Sequence, residues 1–340
     1  MRAALSLICL CVLLMSIMYI FRASAAAGRY VQQDVVVIMP IINEPGRMFT
    51  QANVENAAWD FSGQAELEYL STAWVYNDNT RAIAQISATG REYFHMVFTP
   101  FADGGPWQND YEQGTVISES LAWALFGSHD VVGLTVRIGD ELYTIVGVAQ
   151  DIAEATMDGF AWVPRSDMTY TGNIIYLRLS SYDPITAYLS ATDMLTAMNH
   201  RPQDYIITDI NVFIGNITMR AQILLAIAGV AVIFFTAKLT YRLARQSKTK
   251  TDWVVSAAAI LAVVGVTAFI LPHLSIDLWI PAFAGDGIIG YTQLIFNMGL
   301  LAPRQYLPGN LAALYDLNFR ANVALGVGMA GFIGCVATYK

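Results

Sequence analysis

From Ala3 to Phe21 the chain is apolar apart from Ser6 and Ser16. A helix of that length spans about 28 Å, enough for the hydrocarbon core of a bilayer. Arg2 ahead of the run and Ala23-Ser24-Ala25 behind it also fit a cleavable signal peptide. The run is longer than the usual apolar region of such peptides, about 7 to 15 residues, so an uncleaved anchor is the preferred expectation. Three further runs reach spanning length: about 221–237, about 253–271 ending at Pro272, and about 321–339. Ile288 to Leu301 is also apolar, but it is short and carries Gln293 and Asn297. That pattern suits an interfacial or re-entrant helix, with a fifth span as the alternative.

Between the first two runs the period changes to short alternations broken by turn residues. Thr50 to Ser62 reads as a helix, with Thr50 as N-cap and Val54, Ala57, Ala58 and Phe61 on one face. Glu68 to Asn77 and Arg81 to Ala88 read as strands joined through Asp78-Asn79. Phe101 to Tyr111 contains Gly104-Gly105-Pro106 and reads as loop. Thr115 to Ile117 is a short strand, and Ser118 to Phe126 a helix closed by Gly127. Leu125 and Phe126 are expected to anchor that helix to the sheet. Leu134 to Ile138 and Glu141 to Val148 form a hairpin around Gly139-Asp140. Gly133 and Gly147 are expected where the backbone bends or meets another strand closely. A strand at Ile174 to Ser180, a helix at Asp183 to Met198 and a strand at Tyr205 to Ile210 complete the segment. The expected fold is thus an α+β domain on an α-helical membrane region of four spans.

Composition sharpens this picture. Of the 340 residues 55% are apolar and only 14% charged, greasier than a soluble domain and incompatible with disorder. The sequence pI of about 4.9 leaves no basic footprint for nucleic acid. All four lysines lie at 238 or later, and Lys238, Arg242, Arg245, Lys248 and Lys250 cluster between the second and third runs with no acid before Asp252. The positive-inside rule makes that stretch cytoplasmic and places residues 28–218 outside the cytoplasm. Residues 28–218 hold 23 Asp and Glu against 8 Arg and no Lys, a net charge of −15, which suits a translocated, solvated acidic surface. Cys9, Cys11 and Cys335 all fall in apolar runs, so the external domain folds without disulfides and the three read as membrane-buried small side chains.

Few residues suggest chemistry. His95, His129, His200 and His273 are scattered and lack metal-ligand spacing. Asp151, Glu154 and Asp158 are close in sequence and read as a solvated acidic loop. No Gly-x-Ser-x-Gly elbow occurs. Gly326-x-Gly328-x-x-Gly331 matches a dinucleotide fingerprint on paper, but it lies inside an apolar run with no strand before it. Gly326, Gly328, Gly331 and Gly334 instead make a candidate helix-packing face, within the chain or toward a partner. No catalytic, cofactor or metal residues are expected. Asn216-Ile-Thr218 is a glycosylation sequon, relevant only in a glycosylating host.

Thr115-Val-Ile-Ser-Glu-Ser-Leu-Ala-Trp-Ala-Leu-Phe-Gly127, followed by Val132-Gly133 and by Arg137-Ile-Gly139 through Val146-Gly147-Val148, resembles the periplasmic core domain of MacB-type and FtsX-type ABC transporter permeases. Those domains show a strand, a helix ending in Leu-Phe-Gly, a Val-Gly and a hairpin ending in Val-Gly-Val. Thr89-Gly90-Arg-Glu-Tyr93-Phe94 resembles the segment before the family's variable loop, and Trp162-Val163-Pro164 its closing strand. The resemblance covers about 90–164, and the layout of one span, a large external domain and three spans agrees with it.

The resemblance implies a permease-like subunit that transmits ATPase-driven motion to an external domain. The implied partners are the lipid bilayer, a separate ABC ATPase and a second permease subunit or second copy of the chain. No Gly-x-x-x-x-Gly-Lys-Ser/Thr loop is present, so any ATPase is expected on another chain. Only Met1 and Arg2 precede the first run, where the family carries a basic amphipathic helix, and 238–252 lacks the family's Arg-Glu-Ile-Gly-like and Ala-Leu-Gly-Ala-like segments. These departures favour an alternative, a membrane-anchored scaffold or binding module without ATP coupling. The expected domains are an anchor at 1–27, an external core domain at 28–218 and a membrane region at 219–340. That region holds a cytoplasmic loop at 238–252, the candidate ATPase-docking segment, and an external loop at 272–320, with Trp279, Tyr291 and Tyr306 at the interface. The expected location is the plasma or inner membrane, with several passes.

Overall fold

Strand β3 (Gly63–Tyr76) is long enough to serve two hydrophobic cores, and the external fold is organised along it. The computed structural model describes residues 2–27, 34–41, 47–60, 63–97, 99–108, 113–151, 159–165, 171–179, 184–246 and 309–338. The other strands are β1 (Val35–Pro40), β2 (Phe49–Thr50), β4 (Arg81–Thr89), β5 (Phe101–Gly104), β6 (Gly114–Ser118), β7 (Thr135–Ile138), β8 (Glu141–Ala149), β9 (Gly159–Pro164), β10 (Thr171–Gly172), β11 (Ile174–Leu179) and β12 (Tyr205–Asp209). The helices are α1 (Arg2–Ala27), α2 (Gln51–Asp60), α3 (Tyr93–Met96), α4 (Glu119–Phe126), α5 (Pro184–Ala197), α6 (Ile210–Gln246) and α7 (Gly309–Thr338).

The N-terminal half of β3 pairs antiparallel with β11, which continues through β1 to β12. Val36, Ile38, Leu67, Ile175 and Leu177 point from this sheet into a core closed by Val54 and Ala57 of α2 and by Ala187, Ala191, Met194 and Leu195 of α5. β1 is buried along nearly its whole length on both faces, so its sequence Val-Val-Val-Ile-Met-Pro carries no alternation to mark it as a strand. Thr50 Oγ1 accepts from the Asn53 N–H at 3.4 Å and opens α2, the role its position suggests.

The C-terminal half of β3 pairs with β4. From there the sheet runs β4–β9 (parallel), β9–β6 (antiparallel), β6–β8 (parallel) and β8–β7 (antiparallel). β7 then returns to β3 through Val75–Ile138 and Tyr76–Arg137. Six strands thus form a closed circuit, which hides edges that an open sheet would leave unpaired. Its core contains Val75, Ala84, Ile117, Val136, Ile145 and Val148, with Leu121, Ala122 and Leu125 of α4 packed among them.

Helix α4 is delimited by its own sequence. The Ser118 hydroxyl accepts from the Leu121 N–H at 3.3 Å, and Gly127 adopts φ 65° to close the last turn. Leu125 and Phe126 both pack against this core, Phe126 less deeply. The latter is only half-buried at the margin of the core, because the helical period turns Leu121, Ala122 and Leu125 inward. β5 lies where a loop was expected. It pairs with the outer edge of β8, which recruits a short polar strand. Gly147 has the expected close approach: a Cβ there would lie 2.4 Å from the Gly105 carbonyl oxygen.

The described chain divides into one unit that takes in Ala25–Ile214 and another that gathers the described helical segments within Met1–Ser24, Gly215–Trp279 and Asn318–Lys340. Among the described residues, three helices hold stretches long and apolar enough to cross a membrane: Ile8–Ala27, Ile210–Gly229 and Asp316–Ala337. The expected span at about 253–271 and the apolar stretch 288–301 lie outside the described residues.

Two boundaries differ from expectation. α6 continues through Gln246, so 238–246 is helix and not loop. No Gly or Pro interrupts residues 230–246, and cations near a helix C-terminus complement its dipole. α7 begins at Gly309, so 309–320 is helix although it was expected within the external loop. Leu311-Ala-Ala-Leu-Tyr-Asp-Leu contains no breaker and carries the helix into the apolar run.

Candidate functional site: a buried polar joint and a helix-packing face

Glu68 sits where β3 changes partners. It is the last of the β3 residues that pair with β11, opposite Ile174, and its neighbour Tyr69 is the first to pair with β4, opposite Ala88. Residues two apart on a strand share a face, so Glu66 and Glu68 point away from the core that holds Leu67. Glu68 is completely buried. One carboxylate oxygen accepts from the Ser87 hydroxyl of β4, and the other from the Tyr176 hydroxyl of β11 at 2.7 Å. Its side chain therefore joins the two halves of the domain. Burial is the main cause that lifts its pKa to about 7, against the pull of the two hydrogen bonds.

The joint extends through aromatic hydroxyls. Tyr93 of α3 is a hydrogen-bond partner of Tyr176 and of the Trp162 indole of β9, and the Tyr93 and Tyr176 rings meet edge to face at 5.3 Å. Burial, followed by the charge on Glu68, pushes both phenols well above their ordinary pKa. Glu66 is answered differently. It pairs with the Arg165 guanidinium and accepts from the Gly90 N–H at 2.8 Å, while Arg165 also donates to Gln51 Oε1 at 2.7 Å. The one sequence signal of this joint is Glu66-Leu-Glu68, two acids on one face of a strand whose other face is apolar.

Beside α3 lies a cleft of about 810 Å³ lined by Arg91, His95, Gly105, Pro106, Trp107, Gln108 and Val146. Of the acids read as a loop, Asp151 caps α4: it accepts from the Ser120 N–H at 2.9 Å and hydroxyl at 3.0 Å. Glu154 and Asp158 lie outside the described residues. His129 stacks on Trp123, and His200 Nδ1 lies 2.6 Å from the Tyr205 hydroxyl, so these two histidines have structural neighbours. His273 lies outside the described residues.

In the helical unit the glycines of α7 divide. A Cβ on Gly328 would meet Leu224 of α6 at 2.8 Å and Ser16 of α1 at 3.1 Å. One on Gly331 would meet the Cys9 carbonyl oxygen at 3.0 Å, and one on Gly334 the Cys9 sulfur at 2.7 Å. Gly326 has open space around it. The same helices carry polar ties. Arg220 of α6 donates to Asn318 Oδ1 of α7 at 2.6 Å, and the hydroxyls of Ser24 and Thr218 lie 2.5 Å apart. Lys238, Arg242 and Arg245 fall within the last turns of α6. Lys248 and Lys250 lie outside the described residues.

A family model described as the MacB-like periplasmic core domain matches residues 7–193. The chain belongs to this family, that of the MacB/FtsX-type ABC transporter permeases, whose members work in the membrane with ATPase partners. Among solved structures, it is similar to the periplasmic region of MacB from Actinobacillus actinomycetemcomitans, with 17% identity over 55% of this chain and 94% of that one and a TM-score of 0.47. It is also similar to the extracellular domain of the noncanonic ABC-type transporter YknZ from Gram-positive bacteria, with 14% identity over 51% and 99% and a TM-score of 0.42. No curated protein matches.

Proposed function

We propose that this chain is a permease-like subunit that passes the motion of an ATPase on its cytoplasmic side to a core domain on the other side of the plasma or inner membrane. In this reading it is not itself an enzyme. It crosses the bilayer four times, at about 3–21, 221–237, 253–271 and 321–339, and residues 28–218 are extracytoplasmic. The observation that carries the reading is the continuity of β12 and α6. Strand Tyr205–Asp209 passes into a helix of 37 residues with no intervening loop, and Asp209 Oδ1 caps its first turn through the Val212 N–H at 3.1 Å. Such a helix is about 55 Å long, more than the hydrocarbon core needs. In this reading the basic segment 238–252 is where the ATPase acts on that helix.

The test is a mild-detergent pull-down of the tagged protein from its own host. A P-loop ATPase should co-purify, and it should be lost when 238–252 is replaced by a neutral linker. Charge reversal at Arg242 and Arg245 should abolish stimulation of that ATPase in proteoliposomes; unchanged stimulation would remove the basic segment from the coupling path.

A scaffold without ATP coupling is the second reading, favoured by the lack of the family's docking segments in 238–252. Recovery of envelope proteins alone would select it. In either reading Gly328, Gly331 and Gly334 serve packing inside the chain, so a second permease subunit or second copy would engage another surface.

A further inference from the structure

We propose that Glu68 is a proton-operated joint between the two halves of the core domain, tightening when its carboxyl group takes up a proton and loosening when it releases one. The inference concerns the core domain alone and holds whether or not an ATPase drives the membrane helices.

The geometry points to Glu68 for three reasons. It stands at the handover of β3 from β11 to β4, so any change in its hydrogen bonds acts where the two cores meet. Its two oxygens are held from opposite halves, by Ser87 and by Tyr176. Among the described residues no cation pairs with it, whereas Glu66, two residues earlier on the same face, has the Arg165 guanidinium. The groups facing Glu68 are therefore the Ser87 hydroxyl from β4, the Tyr176 phenol from β11 and, behind Tyr176, the Tyr93 phenol from α3. The charged pair Glu66–Arg165 is the nearest neighbour along its own strand. Ser87 and both phenols stay neutral through the physiological range, so the proton exchanged there belongs to Glu68.

In the ionised state both hydroxyls must donate to a carboxylate in a water-excluded joint, with only dipoles to stabilise the charge. Opening the joint then returns the charge to water. In the neutral state the carboxyl O–H donates to one hydroxyl and the other still donates to the carbonyl oxygen. The hydroxyl that accepts turns its own hydrogen away from Glu68, and no charge is buried. Rotation of the Tyr176 hydroxyl passes the change to Tyr93 and Trp162, hence to α3 beside the Arg91–His95 cleft.

The sign follows from linkage. Burial lifts the folded-state pKa to about 7 from the ordinary 4.5. The closed joint binds more protons than the open one between these values, so closure is fully stabilised below the lower value and loses stability as pH rises to the upper. The opening constant should rise about tenfold per pH unit in that window and level off above it.

Hydrogen–deuterium exchange of the full chain in nanodiscs tests this, with rates corrected for the intrinsic pH dependence. Peptides covering 63–72 and 174–179 should open on the order of tenfold more at about pH 6.5 than at about pH 5.5. Glu68→Gln should flatten that dependence while distant peptides behave alike in both proteins. A dependence that persists in Glu68→Gln, or none in the unaltered protein, overturns the proposal. If Glu68→Gln does not fold, Ser87→Ala decides. It removes a donor to the carboxylate and should move the exchange midpoint to higher pH, and an unmoved midpoint rejects the joint.

Discussion

Arg220 on α6 donates to the side-chain oxygen of Asn318 on α7 at 2.6 Å, and both side chains are buried. A guanidinium in such a place is costly unless it is held by acceptors. Asn318→Leu, which removes an acceptor and leaves the charge, should destabilise the helical unit by about 1.5–3 kcal/mol. Arg220→Met in the same background should recover most of the loss, since the buried charge goes with it. Unfolding followed in detergent for the two single variants and the double variant measures both effects; additive losses would mean that the two side chains do not act on each other.

The glycines of α7 should respond unequally to substitution. Gly331→Leu must push against the backbone of α1 at Cys9, and Gly326→Leu meets open space. The first should lower the thermal midpoint by several degrees, corresponding to about 1–3 kcal/mol of overpacking, and the second should leave it nearly unchanged. Equal effects in a fluorescence-detected melting experiment would place α7 in a different rotation.

Cys9 and Cys335 are hydrogen-bond partners across α1 and α7, while Cys11 is exposed. Treatment with copper–phenanthroline, whose Cu(II) takes up two electrons per bond formed while the two thiol protons pass to solvent, should join Cys9 to Cys335 within one chain. Maleimide labelling followed by mass spectrometry should then find only Cys11 still reactive. A Cys9–Cys11 bond, or labelling at all three, would contradict the approach of these helices.

In the core domain Leu121 and Phe126 should separate sharply. Leu121 is fully buried inside the strand circuit, and Phe126 lies at its edge. Leu121→Ala should cost about 2–5 kcal/mol, and Phe126→Ala distinctly less. Urea unfolding of the full chain checks the order; a larger loss at Phe126 would mean that α4 is turned about its axis.

What was legible in the chain was local. Ser118 and Gly127 delimit α4 because one accepts a helix N–H and the other can take φ 65°. Gly139, with φ 60°, turns the β7–β8 hairpin for the same reason. The apolar runs marked the three membrane-length helices, and Leu-Phe-Gly with Val-Gly-Val marked the family. Helix ends were less legible. α6 and α7 extend beyond their apolar stretches, because polar residues with good helix propensity continue a helix without adding to its hydropathy.

The sequence by itself determined the elements whose causes lie within a turn or two of the chain: caps, tight turns, apolar runs and the −15 charge of residues 28–218. Only the tertiary structure decided what depends on residues far apart. Closure of six strands into a circuit rests on β7 meeting β3 across about sixty residues. The joint at Glu68 requires Ser87 and Tyr176, 19 and 108 residues away, to arrive on either side of it. Pattern and propensity describe one residue's neighbours along the chain. Burial and the pKa of Glu68 depend on which strands shut out water around it, and that is settled only when the two cores close over the same strand.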